Sequence, residues 1–238
     1  MARGGARDVV AHALNGIAPS KLGGEPGRGA RDDVVWFAAG LAPRWIGTVM
    51  AIAYHVICDL YGFWLPNDPR GSWSRFVASR RLLAFGEATK TADRRSRARL
   101  AHDGRLRRAA KQALEDPPVC LSGRQARAVG RGFAQACAEG EYDIYACSSL
   151  PDHVHLVVGR HARRLARVVG HLKARATQRL KTERLWPGDG CRVWGGPGWC
   201  VYLDTPEEVR QKITYVETNP AKEGKPRQRW SFVKPFRG

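Results

Sequence analysis

Residues 142–159 read YDIYACSSLPDHVHLVVG, and the way this stretch folds decides the rest. Tyr142 to Leu150 has the aromatic and alternating apolar content of a strand, Pro151-Asp152 reads as a tight turn, and His153 to Gly159 reads as the returning strand of a hairpin. Side chains alternate along a strand, so His153 and His155 point to one face while Val154 and Leu156 point to the other. Two imidazoles on one face make half of a metal site.

The flanking segments extend the pattern in both directions. Upstream, Ser122 to Gly140 carries Ala126, Val129, Phe133, Ala136 and Cys137 at helical spacing, with Gly140 near its C-terminal end. Earlier still, Met50 to Asp59 (MAIAYHVICD) reads as the first core strand. Downstream, Leu165, Val168, Val169, Leu172, Ala176 and Leu180 fall on one stripe of a helix over Arg163 to Lys181. A Trp- and Gly-rich stretch over 186–199 leads to a short strand, Cys200 to Leu203. Thr205-Pro206-Glu207-Glu208 then opens a last helix with a capping box and proline at its first position. The order strand, helix, strand, strand, helix, strand predicts an α+β fold. Its plan is a ferredoxin-like split β-α-β antiparallel sheet with helices on one face, plus an extra C-terminal helix.

On that last helix Val209, Ile213 and Val216 form the buried stripe. Tyr215 and Asn219 stand four residues apart on one face, and with Glu208 they flank the core side, where they would line a cleft between helix and sheet. A phenol and a carboxamide placed there offer a nucleophile and a third metal ligand.

The chain has 238 residues, 43% of them hydrophobic, enough to bury a core. Forty Lys and Arg against 22 Asp and Glu give a net charge of +18, which favours a polyanionic partner. The longest apolar run, Ile46 to Leu60, contains Tyr54, His55 and Asp59 and falls short of the roughly 20 residues needed to span a bilayer. No membrane partner is expected. Six cysteines without a Cys-x-x-Cys pair fit buried thiols in a reducing compartment, and no apolar leader opens the chain, so the expected location is cytoplasmic and the source prokaryotic.

Residues 1–47 read as an N-terminal extension, compatible with disorder and without an assigned function. Residues 48–220 form the main domain, with a basic insertion over about 67–118, and 221–238 form a basic C-terminal tail. From Arg70 to Glu115 there are thirteen Lys and Arg against four acids, read as a solvated basic run. Arg160 to Arg184 carries nine against Glu183 alone. Arg160, Arg163, Arg164, Arg167, Lys173, Arg175 and Arg179 are the candidates for holding a nucleic-acid backbone. Tryptophans 64, 73, 186, 194, 199 and 230 could stack on unpaired bases, although core packing is the better expectation for any one of them. His55 is read as packing, and His161 and His171 as surface residues.

The Pro-Asp-His-Val-His strand, the Tyr-Val-Glu-Thr-Asn-Pro helix and the stretch YHVICDLYGFWLPNDPRGSWS (54–74) together resemble the single-tyrosine HUH transposases, most closely the REP-associated tyrosine transposases. The resemblance covers roughly residues 48–233. It implies a transposase-like, metal-dependent endonuclease and strand transferase acting on single-stranded or hairpin DNA beside hairpin-forming repeats. Tyr215 would be the nucleophile, and the product a 5′-phosphotyrosine link with a free 3′-hydroxyl. His153, His155 and Asn219 would hold one divalent ion, Mg²⁺ or Mn²⁺, leaving positions open for phosphate oxygens. Since the link conserves the phosphodiester energy, rejoining needs no ATP, in keeping with the lack of a G-x-x-x-x-G-K-[ST] loop. The competing readings are a domesticated, non-catalytic nucleic-acid-binding protein and a replication-initiator-like nickase. A homodimer is left open.

Overall fold

The computed structural model describes residues 51–66, 68, 80–86, 103–186, 190–196 and 198–238. The chain divides into two units, Met1–Val34 and Val35–Gly238, and all described residues belong to the second. The N-terminal extension, Trp73 and most of the basic insertion lie outside them.

The protein is a mixed α+β fold with a small antiparallel sheet and several helices. Among the described residues its elements are β1 (Ala53–Asp59), α1 (Arg80–Leu83), α2 (Gly104–Gln112), α3 (Gly123–Gly140), β2 (Ile144–Ser149), β3 (His153–Gly159), α4 (Leu165–Thr182), β4 (Trp199–Leu203) and α5 (Pro206–Lys222). The strands lie in the order β2-β3-β1-β4, each antiparallel to its neighbours. The hairpin expected at Pro151-Asp152 joins β2 to β3, with Ser149 opposite Val154 and Ser148 opposite His155.

Directly opposed residues of antiparallel strands share a face, so the register sorts the core into two layers. Val56, Cys58, Val154, Leu156 and Val158 meet Val129, Phe133, Ala136, Val168, Leu172, Ala176 and Leu180 of α3 and α4. Ala53, Ala146, Val157 and Leu203 on the other face meet Val209 and Val216 of α5. The three long helices thus sandwich the sheet, two on one side and one on the other.

Local chemistry sets the helix ends. Ser122 and Gln125 form a capping box on α3, and Thr205 and Glu208 form one on α5 with Pro206 behind the cap. The helix α3 crosses α4 at Gly132, where an added Cβ would lie 2.4 Å from the Ala176 Cα, so only a residue without a side chain allows this approach.

Two segments differ from their reading as charge runs. Part of the basic insertion is the helix α2. Asp103 caps it by accepting from the Arg105 and Leu106 amides, Ala110 is fully buried, and Arg107 pairs at 3.2 Å with buried Asp68. The C-terminal tail runs along the edge of β2. The Gln228 carboxamide accepts from the Ser149 amide at 2.8 Å and donates to the Ser149 carbonyl at 2.7 Å. Trp230 Nε1 donates to the Cys147 carbonyl, and Val233 bridges Ile144. The tail thereby covers backbone groups that an open edge would leave unpaired.

Candidate functional site

Strand register brings a third histidine to the pair. On β3, His153 and His155 share the α5 face with Val157, and β1 sets Asp59, Ile57 and His55 opposite these three in turn. The rings form a hydrogen-bonded chain: His55 Nε2 to His155 Nδ1 at 3.1 Å, His155 Nε2 to His153 Nε2 at 3.0 Å, and His153 Nδ1 donating to Asp152 Oδ1 at 2.8 Å. His55, expected to be packing, is therefore part of the constellation. Alternation along β1 puts His55 on the opposite face from Val56 and Cys58, but only the register with β3 sets it against His155.

The helix α5 lays Tyr215 over this chain. Its ring meets His55 at a centroid distance of 5.8 Å and His155 at 5.6 Å, edge to face in both cases, and its side is open to solvent at 39% relative exposure. Asn219 follows one turn later and is buried. The histidine hydrogen-bond chain does not include it. Lys212 and Lys222, which spacing did not single out for the site, bring their ammonium groups to 5.4 Å and 4.9 Å from the Tyr215 ring centroid.

Burial governs the charge states. His55 is held at about 3, chiefly by desolvation, with the charges of Lys212 and His153 adding to the effect. His155 is depressed well below the ordinary value for the same first reason. Both rings are neutral at pH 7. Burial also pushes the Tyr215 phenol up, with the Glu223 charge adding to it, so the phenol is not ionised in advance and needs a base or a bound cation to become a nucleophile.

The chain of rings can hold its protons in two ways. With a proton on His155 Nε2, every link is a hydrogen bond and the chain closes on itself. With that proton on Nδ1, pointing at His55, and the His153 proton on Nδ1, held by Asp152, both Nε2 lone pairs face one another. The 3.0 Å between them matches the separation of two adjacent ligands on an octahedral ion with bonds of about 2.1 Å. Outer partners of this kind, a carboxylate on one ring and a second imidazole on the other, fix the ligand tautomers. The two histidines therefore fit a divalent ion. Among the described residues, no group of three or more His, Cys, Asp or Glu side chains is arranged to hold a metal.

The basic candidates separate. Arg160, Arg163, Arg164 and Arg167 are exposed around the start of α4. Arg175 pairs with Glu139 of α3 at 2.7 Å, and Arg179 lies 3.9 Å from Glu183. Lys173 stands apart from the expected surface set: it is buried, donating to the Gly196 carbonyl at 2.6 Å and lying 5.4 Å from the Trp194 ring centroid. Since α4 packs on the face away from α5, its cations do not adjoin Tyr215 directly. No helix among the described residues is long and apolar enough to cross a membrane.

No family model matches the chain, and no curated protein matches it. Among solved structures it is weakly similar to one described as "Structure of the REP associates tyrosine transposase bound to a REP hairpin". The identity is 12% and the TM-score 0.41, over 74% of this chain and 70% of that one. A likeness so slight carries no argument, and the functional reading rests on the residues.

Proposed function

We propose that the protein is a metal-dependent endonuclease and strand transferase for single-stranded DNA, with Tyr215 as nucleophile and a 5′-phosphotyrosine intermediate. The observation that carries this reading is the seating of the Tyr215 ring on His55 and His155, beside the two Nε2 atoms 3.0 Å apart. The strand order, with β1 between β3 and β4, supports reading the fold as the ferredoxin-like split β-α-β plan.

His153 and His155 would hold a divalent ion, Mg²⁺ or Mn²⁺, with Asn219 as the third ligand. When bound, such an ion neutralises the phosphate and polarises it for in-line attack. The chain's own residues do the rest. Asp152 and His55 orient the two imidazoles. Lys212 and Lys222 supply positive charge beside the phenol, which favours both the phenolate and a phosphodiester next to it. In the attack, the Tyr215 oxygen would form a bond to phosphorus as the bond from phosphorus to the 3′ oxygen breaks, the phenol proton passing to a base or water and the departing 3′ oxygen taking up a proton from water to become the 3′-hydroxyl. In this reading the substrate is an unpaired strand, because a phosphate within a stacked duplex would be hard to line up with a phenol lying over the sheet. The exposed arginines at 160, 163, 164 and 167 would hold backbone farther from the cut. The self-closed proton chain and the raised phenol favour the second reading, a non-catalytic nucleic-acid-binding protein.

Cleavage of labelled hairpin oligonucleotides drawn from the genomic flanks of the gene separates the two. The proposal expects cleavage in Mg²⁺, none in EDTA, and none in His155→Ala, with binding retained in that variant. Cleavage unchanged in EDTA or in His155→Ala would defeat the metal-site reading. An absence of cleavage across the whole panel would favour the binding protein.

A further inference from the structure

We infer that Trp64 and Trp199 form a stacking site for one unpaired nucleobase of the strand that Tyr215 attacks, beside the attacked phosphate. The inference rests on the proposed function and names a part of its substrate recognition.

Most of the described tryptophans have structural work. Trp186 Nε1 donates to the Cys191 carbonyl at 3.2 Å, and Trp194 Nε1 donates to the Lys173 carbonyl at 3.2 Å and to Thr177 Oγ1 at 3.0 Å. Trp230 donates to the Cys147 carbonyl, and its ring occupies the space where a side chain at Gly130 would stand. Trp64 differs: its indole N–H is buried and has no hydrogen-bond partner. A buried donor without an acceptor is costly in the free protein, and an acceptor on a ligand would relieve it.

The position of the pair points to the ligand. Trp199 lies opposite Ile57, and Ile57 lies opposite His155, so all three share the α5 face in one cross-strand row. Two strand spacings, about 10 Å, separate Trp199 from His155, within reach of the base of a nucleotide next to the one being attacked. Aromatic rings fill the interval. Trp64 meets Trp199 at a centroid distance of 5.9 Å and Phe63 at 5.4 Å, and Phe63 stacks on His153 at 4.8 Å. The buried cluster under α5 does not include Ile57 or Trp199, and both are only half-buried. An apolar, partly open row of tilted rings running from the histidines to an edge strand offers ring faces to a planar base. The high positive charge of the chain draws in the phosphates attached to it.

The test is an abasic scan. A labelled single-stranded oligonucleotide is titrated in EDTA with the full-length protein, then a series in which each nucleotide in turn lacks its base. One position should lose about 5- to 100-fold in affinity with the wild-type protein. In Trp199→Leu the penalty at that position should fall to the level of its neighbours, and Trp199→Phe, which keeps a ring and the packing, should show an intermediate penalty. Trp64→Phe should retain the penalty but lose preference among the four bases there. A flat scan with wild type, or an undiminished penalty in both Trp199 variants, would overturn the base site. If a flat scan accompanies a covalent adduct at Tyr215, the base site fails and the nuclease reading stands. If a penalty that depends on Trp199 appears but no oligonucleotide forms an adduct, the nuclease reading fails while base binding stands.

Discussion

His55 shows how a single residue can be hidden from a sequence and decided by pairing. Its ring lies 100 positions from His155 in the chain and 3.1 Å from it in the fold, a relation created by the β1–β3 register and by nothing local. Its burial has a consequence for stability. In the unfolded chain a histidine titrates near 6.5, whereas folded His55 is held at about 3 by desolvation, with Lys212 of α5 and His153 of β3 adding like charge. Between these values the unfolded state binds the extra proton and the folded state does not, so stability rises with pH in that window. The contribution is undiminished above about 6.5 and is lost progressively as pH falls toward 3. His155 is shifted in the same direction, so each ring adds a slope of about 1.4 kcal/mol per pH unit at most. Urea denaturation of the protein in EDTA should show a midpoint that falls steadily from pH 6.5 to pH 4.5. In His55→Asn the fall should be shallower. An unchanged slope in that variant would mean that His55 is solvated in the folded state. That His153 and His155 share one strand face and that Tyr215 stands one helical turn before Asn219 was legible from spacing, because alternation and helical turn are local rules. His55 and Lys212 were not, because they join the site through strand pairing and helix packing.

Among the elements, glycine gives opposite predictions at two helical positions. Gly132 sits where α3 meets α4, and Gly170 sits in α4 with no atom within 4 Å of an added Cβ. Alanine is a better helix former than glycine by about 1 kcal/mol, so Gly170→Ala should raise stability by up to about that amount. Gly132→Ala gains the same propensity but drives a methyl to 2.4 Å from the Ala176 Cα, and it should lower stability by about 1 to 3 kcal/mol. Denaturant midpoints for both variants would check the pair, and a stabilised Gly132→Ala would contradict the close crossing. The four strands and three long helices were legible because their apolar periods are regular and their caps are explicit. The α2 helix was obscured by the arginines around it, although Asp103 supplies a cap and Ala110 an anchor. Lys173 was counted with the surface cations, yet it lies four residues after Val169 and three before Ala176 on the buried stripe, so its position carried the signal that its charge concealed.

At the scale of the whole molecule, two layers divide the work. The layer of α3 and α4 is built around a large apolar core and carries exposed arginines outside it, while α5 lies on the other face and lays Tyr215 on the histidine chain. Net charge predicted a polyanionic partner but could not say which cations are free. Arg131 pairs with Glu183, Arg175 with Glu139, Arg227 with Glu217 and Lys234 with Asp143, and each pairing joins segments distant in sequence or packed only in the fold. The tail was read as a basic arm for the same reason, and it docks on β2 through Gln228 and Trp230 together with the Lys234–Asp143 pair. The central claim is that the phenol on α5 is the nucleophile. The most direct measurement incubates the protein with Mg²⁺ and labelled single-stranded hairpin oligonucleotides, resolves covalent adducts on a denaturing gel and maps the linked peptide. The account predicts an adduct on the peptide containing Tyr215 and none in Tyr215→Phe, which should still fold and bind DNA. An adduct that persists in Tyr215→Phe, or that maps to Tyr202, would contradict it.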